Sequence, residues 1–318
     1  MKRRIVSLLL ALSLAFVPAG CRGGEEGSAG QESRLTIVTT TYPVYLFARA
    51  VTDGVEGVAV QRLDTGSVSC LHDYTLTVDD MKKIEGADVI ALSGAGLEDF
   101  MDDALAASDA QTVDCSQGVE LLENLSHNHA EGDEDGHDHG HWDPHIWMDP
   151  ANARIMVENL ADGLAQADPE YGERYRENGT AAAEQLDAWE GALREQLEGT
   201  KAAGLITFHD GFQYFARAFD LPLLAAIEEE AGSEASAKEI VEITHLVQEN
   251  GIPVIFTEVN GSDATAQAIA RETGCAVSQL TMLMDGPEDG GLDAYYDGMQ
   301  SNITAVVSGF TGEEVVVP

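Results

Sequence analysis

Short runs rich in β-branched residues alternate with amphipathic stretches along almost the whole chain, and few folds accommodate that rhythm. In the first half, Leu35–Thr40, Val58–Leu63, Asp88–Ser93 and Gln111–Asp114 read as strands. Between them lie helix candidates: one opened by Pro43, one over Thr77–Glu85 with Thr77 as N-cap, and one over Leu97–Ala106. In the second half, strands are expected at Leu205–Phe208, Leu223–Ala226, Pro253–Thr257 and Ala276–Leu280. Helices are expected over Gly211–Phe219, Ser236–Glu249, Ser262–Thr273 and Leu292–Val307. Strand–helix alternation of this kind points to parallel sheets covered by helices.

The two halves are separated by a long periodic segment. Asp149-Pro150 supplies an N-cap and a first-turn proline for a helix reaching about Ala167, and Asp168-Pro169 opens another. Tyr171, Tyr175, Ala182, Leu186, Trp189, Leu193 and Leu197 then recur at steps of 4, 7, 4, 3, 4 and 4, which places them on one helical face. From Pro169 to Leu197 such a helix would be about 43 Å long at 1.5 Å per residue. Gly179 inside it costs about 1 kcal/mol relative to alanine. The expected fold class is therefore α/β: two lobes, each with a mostly parallel sheet, joined by one long helix. The divisions are 34–167 for the N-terminal lobe, 168–199 for the linking helix and 200–318 for the C-terminal lobe. No sequence similarity between the lobes is visible.

The first 33 residues follow different rules. Lys2, Arg3 and Arg4 precede an apolar stretch from Ile5 to Val17, which is too short to span a bilayer and suits the core of a signal peptide. Pro18-Ala19-Gly20-Cys21 then resembles a bacterial lipobox, so residues 1–20 are expected to be removed and Cys21 lipidated. Polar, glycine-rich residues 21–33 read as a flexible tether. Three cysteines remain, Cys70, Cys115 and Cys275, so at most one internal disulfide is possible and its pairing is open. With 17 Lys and Arg against 56 Asp and Glu, the net charge is −39. A surface this acidic repels phosphate backbones and excludes nucleic-acid binding.

Nine histidines carry the chemistry. Five of them, His127, His129, His137, His139 and His141, crowd with six acids into residues 126–143, a stretch with no apolar periodicity that reads as a surface loop. His245 lies inside a predicted helix and reads as an ordinary surface or core residue. His72, His145 and His209 instead follow predicted strands or adjoin tight turns. Ligands of α/β sheets bind outside the carboxyl ends of strands, and neutral imidazole suits borderline metals such as zinc. Three imidazoles and a carboxylate would complete a zinc site.

Three motifs then carry a family resemblance from Leu35 nearly to the C-terminus. Cys70-Leu-His-Asp-Tyr-Thr-Leu-Thr77, Asp143-Pro-His-Ile-Trp-Met-Asp-Pro150 and Thr207-Phe-His-Asp-Gly-Phe-Gln-Tyr-Phe215 are similar to the three ligand segments of the metal-binding subunits of bacterial zinc and manganese ABC uptake systems. The first has Leu71 where the family usually has proline. The resemblance implies that His72, His145 and His209 bind the metal in a cleft between two lobes. It also implies a carboxylate after the last strand, for which Asp285 is the first acid available, with Asp289 and Glu258 as alternatives. The acidic histidine loop is typical of the zinc-handling branch and would supply weak auxiliary sites. Hard Mn²⁺ prefers oxygen, so an imidazole at position 209 favours zinc.

The chain is thus expected to be a non-enzymatic, extracytoplasmic, lipid-anchored monomer. It would capture Zn²⁺ and hand it to a permease with its ATPase; a rival reading is a surface adhesin or structural lipoprotein in which metal merely stabilises the fold. The alternatives are a manganese-binding subunit of the same transporter type and a zinc-dependent hydrolase. Against the hydrolase, His139-Gly-His141-Trp-Asp143 is followed by Pro144 where a second-metal histidine would be needed, and no His-Glu-x-x-His segment exists.

Overall fold

The computed structural model describes residues 33–65, 71, 74–125, 141–227 and 236–313. The expected signal peptide, Cys21, the tether, Cys70, His72 and the loop residues His127, His129, His137 and His139 lie outside the described residues.

Two four-stranded sheets form, and every strand pair within them is parallel. The N-terminal sheet contains β1 (Leu35–Thr39), β2 (Val58–Arg62), β3 (Val89–Leu92) and β4 (Gln111–Asp114) in the order β2-β1-β3-β4. The C-terminal sheet contains β5 (Leu205–Thr207), β6 (Leu223–Ala226), β7 (Val254–Glu258) and β8 (Ala276–Leu280) in the order β6-β5-β7-β8. The two lobes therefore share one topology, a repeat that their sequences do not display. Strand order reverses between β1 and β3 and again between β5 and β7, and such switch points open a crevice at the carboxyl ends.

Helices cover both sheets: α1 (Tyr42–Val51), α2 (Val78–Glu85), α3 (Asp102–Ala107) and α4 (Pro150–Ala167) in the N-terminal lobe, and α6 (Gln213–Ala218), α7 (Ala237–Asn250), α8 (Ala264–Thr273) and α9 (Leu292–Thr311) in the C-terminal lobe. The linking helix α5 spans Gly172–Leu197. It is shorter than the expected 169–197 because Pro169–Tyr171 forms a 3₁₀ turn instead. The segment expected as helix over Leu97–Ala106 likewise begins as turns and a 3₁₀ turn at Asp99–Met101, and only α3 is α-helical.

Local chemistry explains where helices start. The Thr41 hydroxyl accepts the Val44 N–H at the start of α1, and Thr77 with Asp80 forms a reciprocal capping box on α2. Asp80 also accepts from the Tyr74 hydroxyl at 2.7 Å and the Asp64 N–H at 3.1 Å, tying both flanks of residues 66–73 to α2.

Alternate residues of the inner strands face different cores. Ile37 of β1 with Val254 and Phe256 of β7 join one large central cluster, which also contains Tyr175, Ala182, Leu186 and Leu193 of α5. Val38 faces a satellite core under α2 and α3, and Ile255 faces another with Val247 and Ile269. The central cluster runs through both lobes, so the linking helix is part of the core. Gly179 explains itself here: a Cβ at that position would stand 2.5 Å from the Ala161 Cβ, so its absence is what lets α4 and α5 approach.

At the N-terminal switch point lies a buried carboxylate that the sequence did not flag. Glu98 accepts the Thr40 hydroxyl at 2.6 Å and the N–H groups of Ser93 and Gly94 at 2.8 and 3.0 Å, joining the ends of β1 and β3. Burial pushes its pKa from 4.5 up to about 7, against the pull of those three hydrogen bonds. A folded-state value above the unfolded one means its contribution is complete below about pH 4.5 and lost as pH rises through about 7. In metal-free urea unfolding, the stability of wild type relative to Glu98→Gln should therefore fall by up to roughly 3 kcal/mol between pH 4.5 and 8. A pH-independent difference would show that this carboxyl titrates alike in folded and unfolded chains.

Candidate metal centre

His145 sits in a tight, fully enclosed turn. It follows Asp143-Pro144 and leads into the 3₁₀ turn Ile146–Met148, whose three side chains are all buried. Asp149 then caps α4 by accepting the Ala151 N–H at 2.9 Å. One oxygen of Asp143 takes both the backbone N–H and the Nδ1 of His145, at 2.9 and 2.8 Å. That contact places the proton on Nδ1 and leaves Nε2 as the ligating nitrogen. Burial works against protonating this ring, but the hydrogen bond and charge of Asp143 outweigh it and raise its pKa.

The turn is anchored to the other lobe. Trp147, fully buried, donates its indole N–H to the Met282 carbonyl at 2.8 Å, and the Tyr295 hydroxyl of α9 donates to the Trp147 carbonyl at 2.7 Å. His209 arrives from the C-terminal lobe, two residues beyond β5. The His145 and His209 rings meet edge to face with centroids 5.4 Å apart. Gly211 makes this approach possible. A Cβ there would stand 3.0 Å from His209 Cδ2 and 3.2 Å from His145 Cδ2, and it would fall on the Met282 sulfur.

Glu258 closes the group. It ends β7, directly across the C-terminal switch point from His209, and its Oε2 lies 3.9 Å from His209 Nδ1. Its residue exposure is 2%, and among the described residues neither carboxylate oxygen has a hydrogen-bond partner. Burial pushes its pKa up to about 7, only partly offset by the His145 charge. A buried carboxylate with both oxygens unsatisfied is costly unless a cation balances it.

The other predicted carboxylates lie elsewhere. Asp285 is exposed and pairs with Arg62 of β2 at 2.9 Å while accepting the Gly286 N–H. Asp289 is exposed too. His72 lies outside the described residues, between the buried Leu71 and Tyr74. Among the described residues, no three His, Cys, Asp or Glu side chains form a ready metal cluster. Sequence reasoning named Glu258 only as an alternative and missed Asp143 as the group that orients His145. An acid two residues before a histidine within Asp-Pro-His was the signal that could have found it.

The two described flanks of the histidine segment are joined beside this site. Its base is an antiparallel bridge between Glu123 and Trp142, with Asn124 N–H donating to the His141 carbonyl at 3.1 Å and Asp143 N–H to the Leu122 carbonyl at 2.9 Å. The Tyr214 hydroxyl joins the two sides, accepting the Leu122 N–H at 2.9 Å and donating to the Asp143 carbonyl at 3.0 Å. The exposed His141 imidazole lies 4.0 Å from Glu123. The described chain resumes at His141, four residues before His145.

Two lobes of one topology, a core-embedded linking helix and imidazoles from both lobes meeting at strand ends define a two-lobed α/β protein with a candidate metal site where the lobes meet. Residues 37–309 match the family described as "ZnuA: Zinc-uptake complex component A periplasmic", and the chain belongs to that family. It is 29% identical over 311 residues to the zinc-binding lipoprotein AdcA of Streptococcus pneumoniae, covering 95% of this chain and 60% of that protein. The chain thus spans about three-fifths of that relative's length. A putative metal-binding protein of Treponema pallidum is 28% identical over 244 residues, 74% of this chain and 75% of its own. Among solved structures, ZnuA matches with a TM-score of 0.73 at 24% identity, covering 86% of this chain and 98% of that one. The laminin-binding adhesin Lmb of Streptococcus agalactiae matches with the same TM-score and identity over 87% and 99%. These structures support the fold.

Partners that orient a ligating imidazole typically tune metal affinity ten- to a hundredfold. Replacing Asp143 with Asn keeps an acceptor oxygen but removes the charge behind His145. Zinc affinity, measured by competition with a chromophoric chelator, should fall by about tenfold or more while the circular dichroism spectrum stays unchanged. Wild-type affinity in this variant would show that His145 needs no anionic partner.

Proposed function

We propose that this chain captures Zn²⁺ in the cleft between its lobes and delivers it to a membrane ABC permease driven by an ATPase. The observation that carries the reading is the buried Glu258 carboxylate, unsatisfied among the described residues, beside two imidazoles contributed by different lobes. The proposed ligands are His72, His145 and His209 with one carboxylate. Glu258 is the first choice for that carboxylate, and Asp285, now on Arg62, is the alternative. Imidazole-rich donor sets suit zinc better than manganese, which favours oxygen ligands. As substrate, zinc would cancel the desolvation cost of Glu258 and be released where the permease loosens the approach of the lobes.

Cys21 is the proposed lipid attachment point, tethering the chain to the outer face of the membrane. Among the described residues no helix is long and apolar enough to cross a membrane. The histidine loop is proposed to hold weak, exchangeable zinc close to the cleft.

Replacing His209 with Ala should weaken zinc binding by more than roughly a hundredfold, beyond the effect expected of a residue that only orients a ligand. Equal zinc content and affinity in this variant and wild type, after purification from the same medium, would remove His209 from the site. Deleting residues 127–140, which keeps the His141 carbonyl that closes the loop base, should remove the weak phases of a zinc titration. The single tight phase should persist, and its loss would make a loop histidine a primary ligand.

A further inference from the structure

The segment that leaves β8 crosses from one lobe to the other. Its root, 281–283, is fixed in the C-terminal lobe. Asn302 accepts the Thr281 N–H and donates to the Thr281 carbonyl, both at 2.8 Å. Met282 packs its sulfur against Gly211, two residues beyond His209, and its carbonyl takes the Trp147 indole N–H. The tip, 285–290, rests on the N-terminal lobe at the carboxyl end of β2. Arg62, the last residue of that strand, donates to Asp285 at 2.9 Å and to the Gly286 carbonyl at 3.0 Å. The hydroxyls of Tyr42 and Tyr45 donate to the carbonyls of Pro287 and Glu288, and Arg49 donates to the latter at 3.0 Å. Gly286 and Gly290 lie directly on Tyr42, where a Cβ would stand 2.3 and 2.4 Å from its ring and its hydroxyl. The Arg62 guanidinium lies over the same ring, 5.0 Å from its centre. Between root and tip, Leu283 holds φ at +61°, a left-handed conformation uncommon for leucine, with its side chain buried against Gly298.

Resting on the cleft site proposed above, we propose that this strap is a kinetic gate for the metal and that Arg62 is the positioning residue that keeps it shut. The root follows the carboxyl end of β8 and the tip meets the carboxyl end of β2, so the strap spans the lobes on the side where the strand ends face the cleft. Its two anchors differ in kind. The root is held by buried groups, whereas the Arg62–Asp285 pair stands partly in water, with side-chain exposures of 22% and 55%. Partly exposed pairs open and reclose at low cost, and buried ones do not. Leu283 lies between the anchors, so the strain in its backbone is relieved when the tip lifts. The tip bonds engage no atom of His145, His209 or Glu258. Loosening them therefore speeds entry and exit of the metal alike and leaves affinity where the ligands set it.

The test compares zinc release with zinc affinity in the full chain. Release is timed by mixing zinc-loaded protein with excess chromophoric chelator in a stopped-flow instrument and reading the slow phase. Affinity comes from chelator competition at equilibrium. Arg62→Gln should release zinc faster by about fivefold or more while its Kd stays within about threefold of wild type. Tyr45→Phe, which loses one hydroxyl and keeps the ring, should speed release by a smaller factor, and it carries the test should Arg62→Gln fail to fold. Release at the wild-type rate would overturn the gate. So would a Kd that weakens in step with the release rate, the mark of a packing residue. Slower release or tighter binding in Arg62→Gln would overturn it as well, by showing that freed Asp285 binds the metal. His209→Ala, run alongside, separates the two readings. If that variant loses zinc while Arg62→Gln releases at the wild-type rate, only the gate fails. If His209→Ala keeps zinc, the cleft site itself fails.

Discussion

Trp147 is held at both ends by the opposite lobe, its indole N–H on the Met282 carbonyl and its own carbonyl under the Tyr295 hydroxyl. The approach of His145 to His209 depends on that grip. The tryptophan belongs to the turn that carries His145, and its partners flank the C-terminal cleft. Because the contacts are buried, neither polar group can be exchanged for water without cost, so the turn is fixed with respect to His209. Imidazoles on separate sheets are thereby brought within ring contact without any covalent or sequence-local link.

The grip sits within a wider union of the lobes. The central core runs through both sheets and takes in the linking helix, so the cleft is framed by packed side chains. The N-terminal lobe also holds the loop after β8: Arg62 reaches Asp285 and the Gly286 carbonyl, and Arg49 donates to the Glu288 carbonyl at 3.0 Å. The two lobes show matching use of their switch points. In the N-terminal sheet the crevice is filled by Glu98, satisfied by three donors. In the C-terminal sheet it holds Glu258, satisfied by none among the described residues. One buried acid closes its sheet end; the other keeps both oxygens without a hydrogen-bond partner among the described residues.

Electrostatics separates the site from the surface around it. A net charge of −39 attracts any cation, but exposed carboxylates are screened and interchangeable. Where the lobes meet, the Asp143–His145 pair, His209 and Glu258 are withdrawn from water. Asp285, exposed and paired with Arg62, belongs to the surface population in this arrangement, although it stands where the family resemblance places a ligand.

Strand and helix placement, the two-lobed α/β class and the motifs of the family were legible in the sequence because each rests on short-range information. Periodicity, β-branching, proline and N-cap residues act within a few positions, and Asp-Pro-His and Phe-His-Asp-Gly are contiguous. The errors were of the same range. Pro169 and the glycines before Asp99 relaxed the ends of two expected helices into 3₁₀ turns, a balance of local hydrogen bonding that composition does not resolve. Long-range relations were decided only by the tertiary structure. No pattern along the chain says that both sheets share one strand order, that Gly179 exists for Ala161, or that Glu98 spans two strand ends. Choosing Glu258 over Asp285 as the buried acid depended on which strand flanks the switch point. Bringing His145 and His209, 64 positions apart, into ring contact depended on how the lobes close. Sequence determines which residues can be ligands; burial and approach determine which of them meet, because desolvation and contact exist only once the chain has folded.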